Sequence, residues 1–180
     1  FDPADPWAQR SMMQVTESMS EDLLVISTST FIQAFETWLV AQGLEFPARN
    51  FHSSVKSFLE SSSGNAYPNS VLRDENDIVK ALKLEFRIAL TSGNALSTTL
   101  AAKTAWETYI QQRNDLSNLG ANQAFQVSSL WVNVEAQDGI IRSTVTTITS
   151  AILIGYLAAV IFTQDLVLSL FPMLSVGLTA

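Results

Sequence analysis

The sequence predicts an α+β domain of the ferredoxin-like βαββαβ plan, followed by a transmembrane helical hairpin. Three observations carry this. Residues 78–90 alternate apolar and polar side chains as a half-buried strand does. Aromatic residues recur at helical spacing in three places, around Phe35, around Phe58 and around Trp106. Ser143 to Gln164 contains no charged side chain, and about 20 helical residues span the roughly 30 Å of a bilayer core. The chain therefore divides into an aqueous domain, 1–141, and a hairpin, 142–180, with spans at about 143–163 and 166–180.

Asp5-Pro6 opens a helix that runs to about Met19, with an Asp cap and a Pro at the first helical position. Leu23-Leu24-Val25-Ile26 is a short apolar run suited to a buried strand. Thr30 and Gln33 form a capping box. The helix behind it places Phe31, Phe35, Trp38 and Leu39 on one face and stops at Gly43. Phe51, Val55, Phe58 and Leu59 repeat the spacing, as a second helix or as the same helix broken near Pro47.

Residues 61–70 are a loop by composition, and Val71-Leu72 sits in a short strand. In the strand 78–90, Leu82, Leu84, Phe86, Ile88 and Leu90 face a core while Lys83, Glu85 and Arg87 face water or a polar interface. Ser97 caps a helix with Ala102, Trp106, Tyr109 and Ile110 on one face, ending near Gly120. Phe125 to Glu135 reads as a last strand leading to the membrane, with Trp131 and Glu135 at the junction. The strands and helices together make the βαββαβ order.

Charge narrows the function classes. Ten basic residues against seventeen acidic give a net charge of −7. The basic residues are scattered, which excludes a nucleic-acid surface, because phosphate binding needs clustered Lys and Arg. Without cysteine there is no disulfide framework or thiol chemistry. Phe1-Asp2-Pro3 does not open a signal peptide, and no Asn-x-Ser/Thr sequon occurs.

Catalytic and cofactor-binding patterns are missing too, and no cofactor is expected. His52, beside Phe51, is the only histidine and reads as structural. Ser53 to Lys56 matches a bare S-x-x-K but lacks its S-D-N and K-T-G partners. Asp74-Glu75-Asn76-Asp77 lacks the glycine and ligand spacing of a calcium loop and reads as a solvated turn.

The competing reading of 143–164 is a buried helix of a soluble protein, but soluble helices seldom run so long without a charge. After Asp165 a second apolar run begins, which makes Thr163-Gln164-Asp165 a tight turn. Ala151, Gly155 and Ala159 fall at i, i+4 and i+8 and form a flat ridge for a neighbouring helix. Pro172 lies in the second span, where neighbouring helices satisfy the freed carbonyl. No acidic or basic group lies in 143–164, so no proton or ion relay is expected there.

Residues 124–180, with Leu130-Trp131-Val132-Asn133-Val134-Glu135 ahead of the apolar helix, resemble the end of the second outer domain of the resistance-nodulation-division superfamily. The nearest branch is the Patched and Dispatched group, with the Niemann-Pick type C sterol transporters as cousins. Upstream, Phe35-Glu36-Thr37-Trp38-Leu39, Phe58-Leu59, the strand from Ile78 to Leu90 and the Trp106 helix follow the same order. The resemblance implies a porter-type outer domain, extracellular or lumenal, in a twelve-span transporter of two similar halves. Its implied partners are the lipid bilayer, the remaining membrane helices, the first outer domain and a sterol, lipid or lipidated-protein cargo. The energy-coupling residues of that family lie in spans outside these 180 residues. Cysteine-stabilised outer domains, common among animal members, are not matched here.

Overall fold

A computed structural model describes residues 2–17, 19–91, 93–117 and 120–164. The chain forms two compact units, Phe1–Ser128 and Ser129–Ala180. The first is α+β, and the described residues of the second form a long apolar helix.

In the first unit, α1 (Pro6–Glu17) begins where Asp5 Oδ1 accepts the Trp7 amide at 3.0 Å. A 3-10 turn (Glu21–Leu23) leads through Leu24, at φ 54°, into β1 (Val25–Ser27). The strand thus starts two residues later than the apolar run suggests, because Leu23 belongs to the turn and is buried.

Helix α2 (Phe31–Ala41) carries the expected capping box, and Gln33 Oε1 accepts the Thr30 amide at 3.3 Å. Its end is a Schellman motif. Gly43, at φ 70°, donates to Val40 O, and Leu44 donates to Leu39 O. After a separate connection, α3 (Phe51–Glu60) supplies the second aromatic face. The two aromatic faces therefore belong to two helices.

The core lies between α1, α2 and α3. Phe31, Phe35, Phe51, Val55 and Phe58 are almost fully buried with Ile32 and Leu39. Phe35 meets Phe51 and Phe58 edge-on, with centroids 5.5 Å and 5.6 Å apart. Each such side chain contributes about 2–3 kcal/mol through removal from water. Gln9, fully buried, ties α1 to the connection between α2 and α3: its Oε1 accepts the Ala48 amide at 2.7 Å and its Nε2 donates to Ala48 O at 3.1 Å.

The expected strand 78–90 is present as two short pieces, β3 (Val79–Leu82) and β4 (Arg87–Ile88). β3 pairs antiparallel with β2 (Val71–Arg73), and β4 pairs antiparallel with β1. The two pieces serve different partners, so one ladder does not run through them. The alternation nonetheless holds in burial: Leu82, Leu84, Phe86, Ile88 and Leu90 are half-buried, and Lys83, Glu85 and Arg87 are exposed. Leu72 pairs Ala81 but Arg73 pairs Val79, so Lys80 is an extra residue. That bulge turns Val79 into the core.

Among the described residues the sheets are two-stranded, β1-β4 and β2-β3. The α+β class is thus present, while these pairings do not assemble a four-stranded ferredoxin-like sheet.

Helix α4 (Leu96–Leu116) stops four residues before Gly120 and is fastened by two polar tips. Trp106 Nε1 donates to Leu23 O at 3.1 Å, and Tyr109 Oη donates to Val15 O at 2.8 Å.

The strand expected over Phe125–Glu135 is not formed. Residues 122–128 lack regular structure, and Ser129 begins α5 (Ser129–Thr163). In place of a neighbouring strand, the Asn114 carboxamide pairs with both backbone groups of Ala124, at 2.8 Å and 2.9 Å. Phe125 and Val127 consequently point into solvent. Farther on, Trp131 and Val134 are the buried pair at helical spacing.

Candidate functional site

The long helix α5 is the feature that carries a function. Its charged side chains, Glu135, Asp138 and Arg142, all lie in its first half. Arg142 Nε bonds Asp138 Oδ2 at 2.8 Å, one turn apart. Beyond Arg142 the helix continues without a break to Thr163, with no acidic or basic side chain. That part is roughly 31 Å long, the thickness of a hydrocarbon core. Among the described residues α5 is the one helix long and apolar enough to cross a membrane.

Its surface is apolar and uncovered. Val145, Ile148, Leu153, Ile154, Leu157, Ile161 and Phe162 are all exposed, and none of the most apolar window is buried. A core helix of a soluble protein hides such residues; this one leaves them uncovered over most of its surface, with Ile152, Tyr156 and Val160 half-buried.

The hydroxyl groups are partly reconciled to an apolar surrounding. Ser143 Oγ donates to Ile140 O at 3.0 Å, Thr147 Oγ1 to Ser143 O at 2.8 Å, Thr149 Oγ1 to Val145 O at 2.8 Å, and Thr163 Oγ1 to Ala159 O at 2.7 Å. Each satisfies its proton on the helix's own backbone.

Trp131 and Glu135 lie on one helix face, a turn apart, and not on a strand. Trp131 is buried and Glu135 exposed. Glu135 precedes Ser143 by about 12 Å along the axis, and the expected domain boundary at 141/142 falls inside the helix. Of the ridge, Ala151 and Gly155 are exposed and Ala159 is half-buried. A Cβ built on Gly155 meets nothing within 4 Å. The second span, 166–180, lies outside the described residues, as does Asp165 of the expected turn.

The polar clusters of the first unit are structural. His52 Nδ1 accepts the Val79 amide at 3.2 Å, where the bulge turns the strand inward. Asp74 to Asp77 is the turn between β2 and β3, as its composition suggests. Asp74 Oδ1 accepts the amides of Asn76 and Ile78, each at 2.9 Å. The Ile78 bond, foremost, holds the Asp74 carboxyl below its ordinary range. Asp77 pairs with Lys56 at 2.7 Å and with Arg73 at 2.8 Å. The Lys56 bond in turn holds Asp77 below its ordinary range and raises Lys56. The Asp74 and Asp77 carboxylates are thus already engaged by lysine, arginine and backbone donors, and no cluster of three or more His, Asp or Glu that could hold a metal occurs among the described residues.

No family model, no curated protein and no solved structure matches the chain.

Proposed function

We propose that the chain is the membrane-proximal part of a Patched/Dispatched-like transporter of the resistance-nodulation-division superfamily. The α+β unit is its second outer domain, extracellular or lumenal, and α5 its eighth span, the first helix of a multi-pass bundle. Its role is to gate or contact a hydrophobic cargo, a sterol, lipid or lipidated protein, without catalysis.

The observation that carries the membrane part is the uncharged, exposed surface of α5 from Ser143 to Thr163. The transporter part rests on the resemblance of 124–180 and on the upstream order of aromatic helices and strands. The order of β1, two helices, β2 and β3 supports a porter-type, ferredoxin-like plan for the outer domain.

The membrane part is tested by carbonate extraction of the full-length protein and by Leu153→Arg. An arginine at mid-span costs about 2.5–3.5 kcal/mol on insertion scales, so the variant is expected to insert poorly. A protein released by carbonate overturns the reading. The cargo part is tested in proteoliposomes with a fluorescent sterol. Insertion without sterol movement or sterol cross-linking to the α+β unit leaves a membrane-tethered domain in place of a transporter.

A further inference from the structure

Between Ser143 and Thr163 every residue of α5 is exposed except Ile152, Tyr156, Ala159 and Val160, which are half-buried. These four fall at i, i+4, i+7 and i+8, one stripe of the helix. Burial confined to one stripe means that something lies along it, and the single chain of the structure supplies its own cover. The stripe starts at Ile152; all residues from Ser143 to Ala151 are exposed.

The end of α5 bears on what the cover is. Gln164 takes a left-handed backbone, φ 53°, and its amide donates to Val160 O at 2.9 Å. This is the αL closure that stops a helix and turns the chain off its axis. After Asp165, residues 166–180 follow, and none of them is charged.

Length matches the stripe. As a helix laid back against α5, residues 166–180 reach about 22 Å. Measured back from Thr163, that reach ends roughly one turn beyond Ile152 and short of Ser143. The covered and bare parts of α5 divide at the same level. Residue types match as well: Ser169, Leu170, Met173, Val176 and Gly177 recur at threes and fours. Ser169 and Gly177 are small enough to let two helices approach closely.

We propose that residues 166–180 fold back antiparallel along α5 and cover Ile152, Tyr156, Ala159 and Val160. Tyr156 then lies level with Met173, and Val160 level with Ser169. The opposite face, with Ile154 and Ala158, stays open. The proposal rests on the membrane reading of α5 given above and assigns the face on which its hairpin closes.

The 180 residues contain no cysteine. Full-length protein, with any cysteine elsewhere replaced by serine, is prepared in membranes with Tyr156→Cys and Met173→Cys together, or with Val160→Cys and Ser169→Cys together. Two control pairs, Ile154→Cys with Met173→Cys and Ala158→Cys with Ser169→Cys, place one thiol at a similar depth on the opposite face. Copper phenanthroline in air oxidises the thiols, and after denaturation a polyethylene-glycol maleimide marks those left free. A disulfide within one chain takes up no polymer and stays monomeric on a non-reducing gel.

The expected result is a disulfide within one chain at one or both stripe pairs, formed several-fold faster than at the matching control pair. Free thiols at both stripe pairs, or control pairs that react as fast, overturn the fold-back; protein that still resists carbonate then leaves the span intact. Disulfides between two chains at the stripe pairs overturn it in favour of a second copy. Protein released by carbonate overturns the membrane reading, and the proposal with it.

Discussion

The side-chain amide of Gln9 pairs with the backbone of Ala48 as one strand pairs with another. Oε1 accepts the Ala48 amide at 2.7 Å while Nε2 donates to its carbonyl at 3.1 Å. Gln9 is fully buried and Ala48 nearly so. Replacing Gln9 by Leu keeps the volume but orphans two buried backbone groups. The expected loss is about 2–4 kcal/mol, read as a lower urea midpoint of the Phe1–Ser128 unit at unchanged slope.

Two glycines should respond to alanine with opposite signs. A Cβ on Gly64 would collide with the backbone carbonyl of Phe58, and Gly64 is held by bonds from its amide to Ser61. Gly64→Ala must move the end of α3 and should destabilise by at least ~2 kcal/mol. Gly139 sits inside α5 with nothing within 4 Å of its Cβ position. Gly139→Ala should raise helix stability by up to about 1 kcal/mol. Thermal unfolding followed by circular dichroism separates the two.

Leu24 holds a left-handed backbone, φ 54°, between two fixed neighbours. Leu23 O accepts the Trp106 indole, and Leu24 O accepts the Ala89 amide at 2.7 Å. A left-handed leucine costs about 1–2 kcal/mol, and asparagine tolerates that conformation better. Leu24→Asn is expected to lose little or no stability despite the lost apolar group. Leu24→Val, stiffer at Cβ, should lose more than Asn does in the same denaturation experiment.

The β2-β3 turn should loosen in acid. The carboxyls of Asp74 and Asp77 are both depressed in the folded chain. Their contribution is complete above the ordinary carboxylate range and is lost as pH falls through the depressed folded values. Lys56 is raised, so its share is complete below its ordinary value and is lost only as pH rises through the raised one. Amide exchange at Asn76 and Ile78 should therefore gain on its intrinsic rate as pH drops through the acid range, and little in between. High salt should weaken the Lys56–Asp77–Arg73 pairs, which are exposed. Exchange that follows the intrinsic rate throughout would count against the turn's electrostatic support.

Local chemistry was legible in the sequence where a signal needs only neighbours. Thr30 with Gln33 and Gly43 marked both ends of α2, and the aromatic spacing marked the core faces of α2, α3 and α4. The alternation of 82–90 foretold burial but not pairing, because pairing depends on where β1 and β2 arrive. Phe125 to Glu135 misled, since its aromatic and β-branched residues suit a strand. Yet Trp131 and Val134 also suit a helix, and the helix that continues to Thr163 extends through them, each added residue gaining a backbone bond. The Gln9–Ala48 and Trp106–Leu23 bonds join residues 39 and 83 positions apart, and no local pattern announces them. In the candidate site, length and lack of charge were plain from residue types. That Ser143, Thr147, Thr149 and Thr163 bond to the helix's own backbone needed the side-chain geometry.

Helix α5 crosses from its charged half to its uncharged half without a loop. Placed in a bilayer, such a helix has no joint at the water line with which to adjust its depth. If the hydrocarbon thins from ~31 to ~27 Å, the rod must lean by about 30°, and Ser129 swings roughly 10 Å sideways. Membrane thickness would then be read out as the angle of the helix itself.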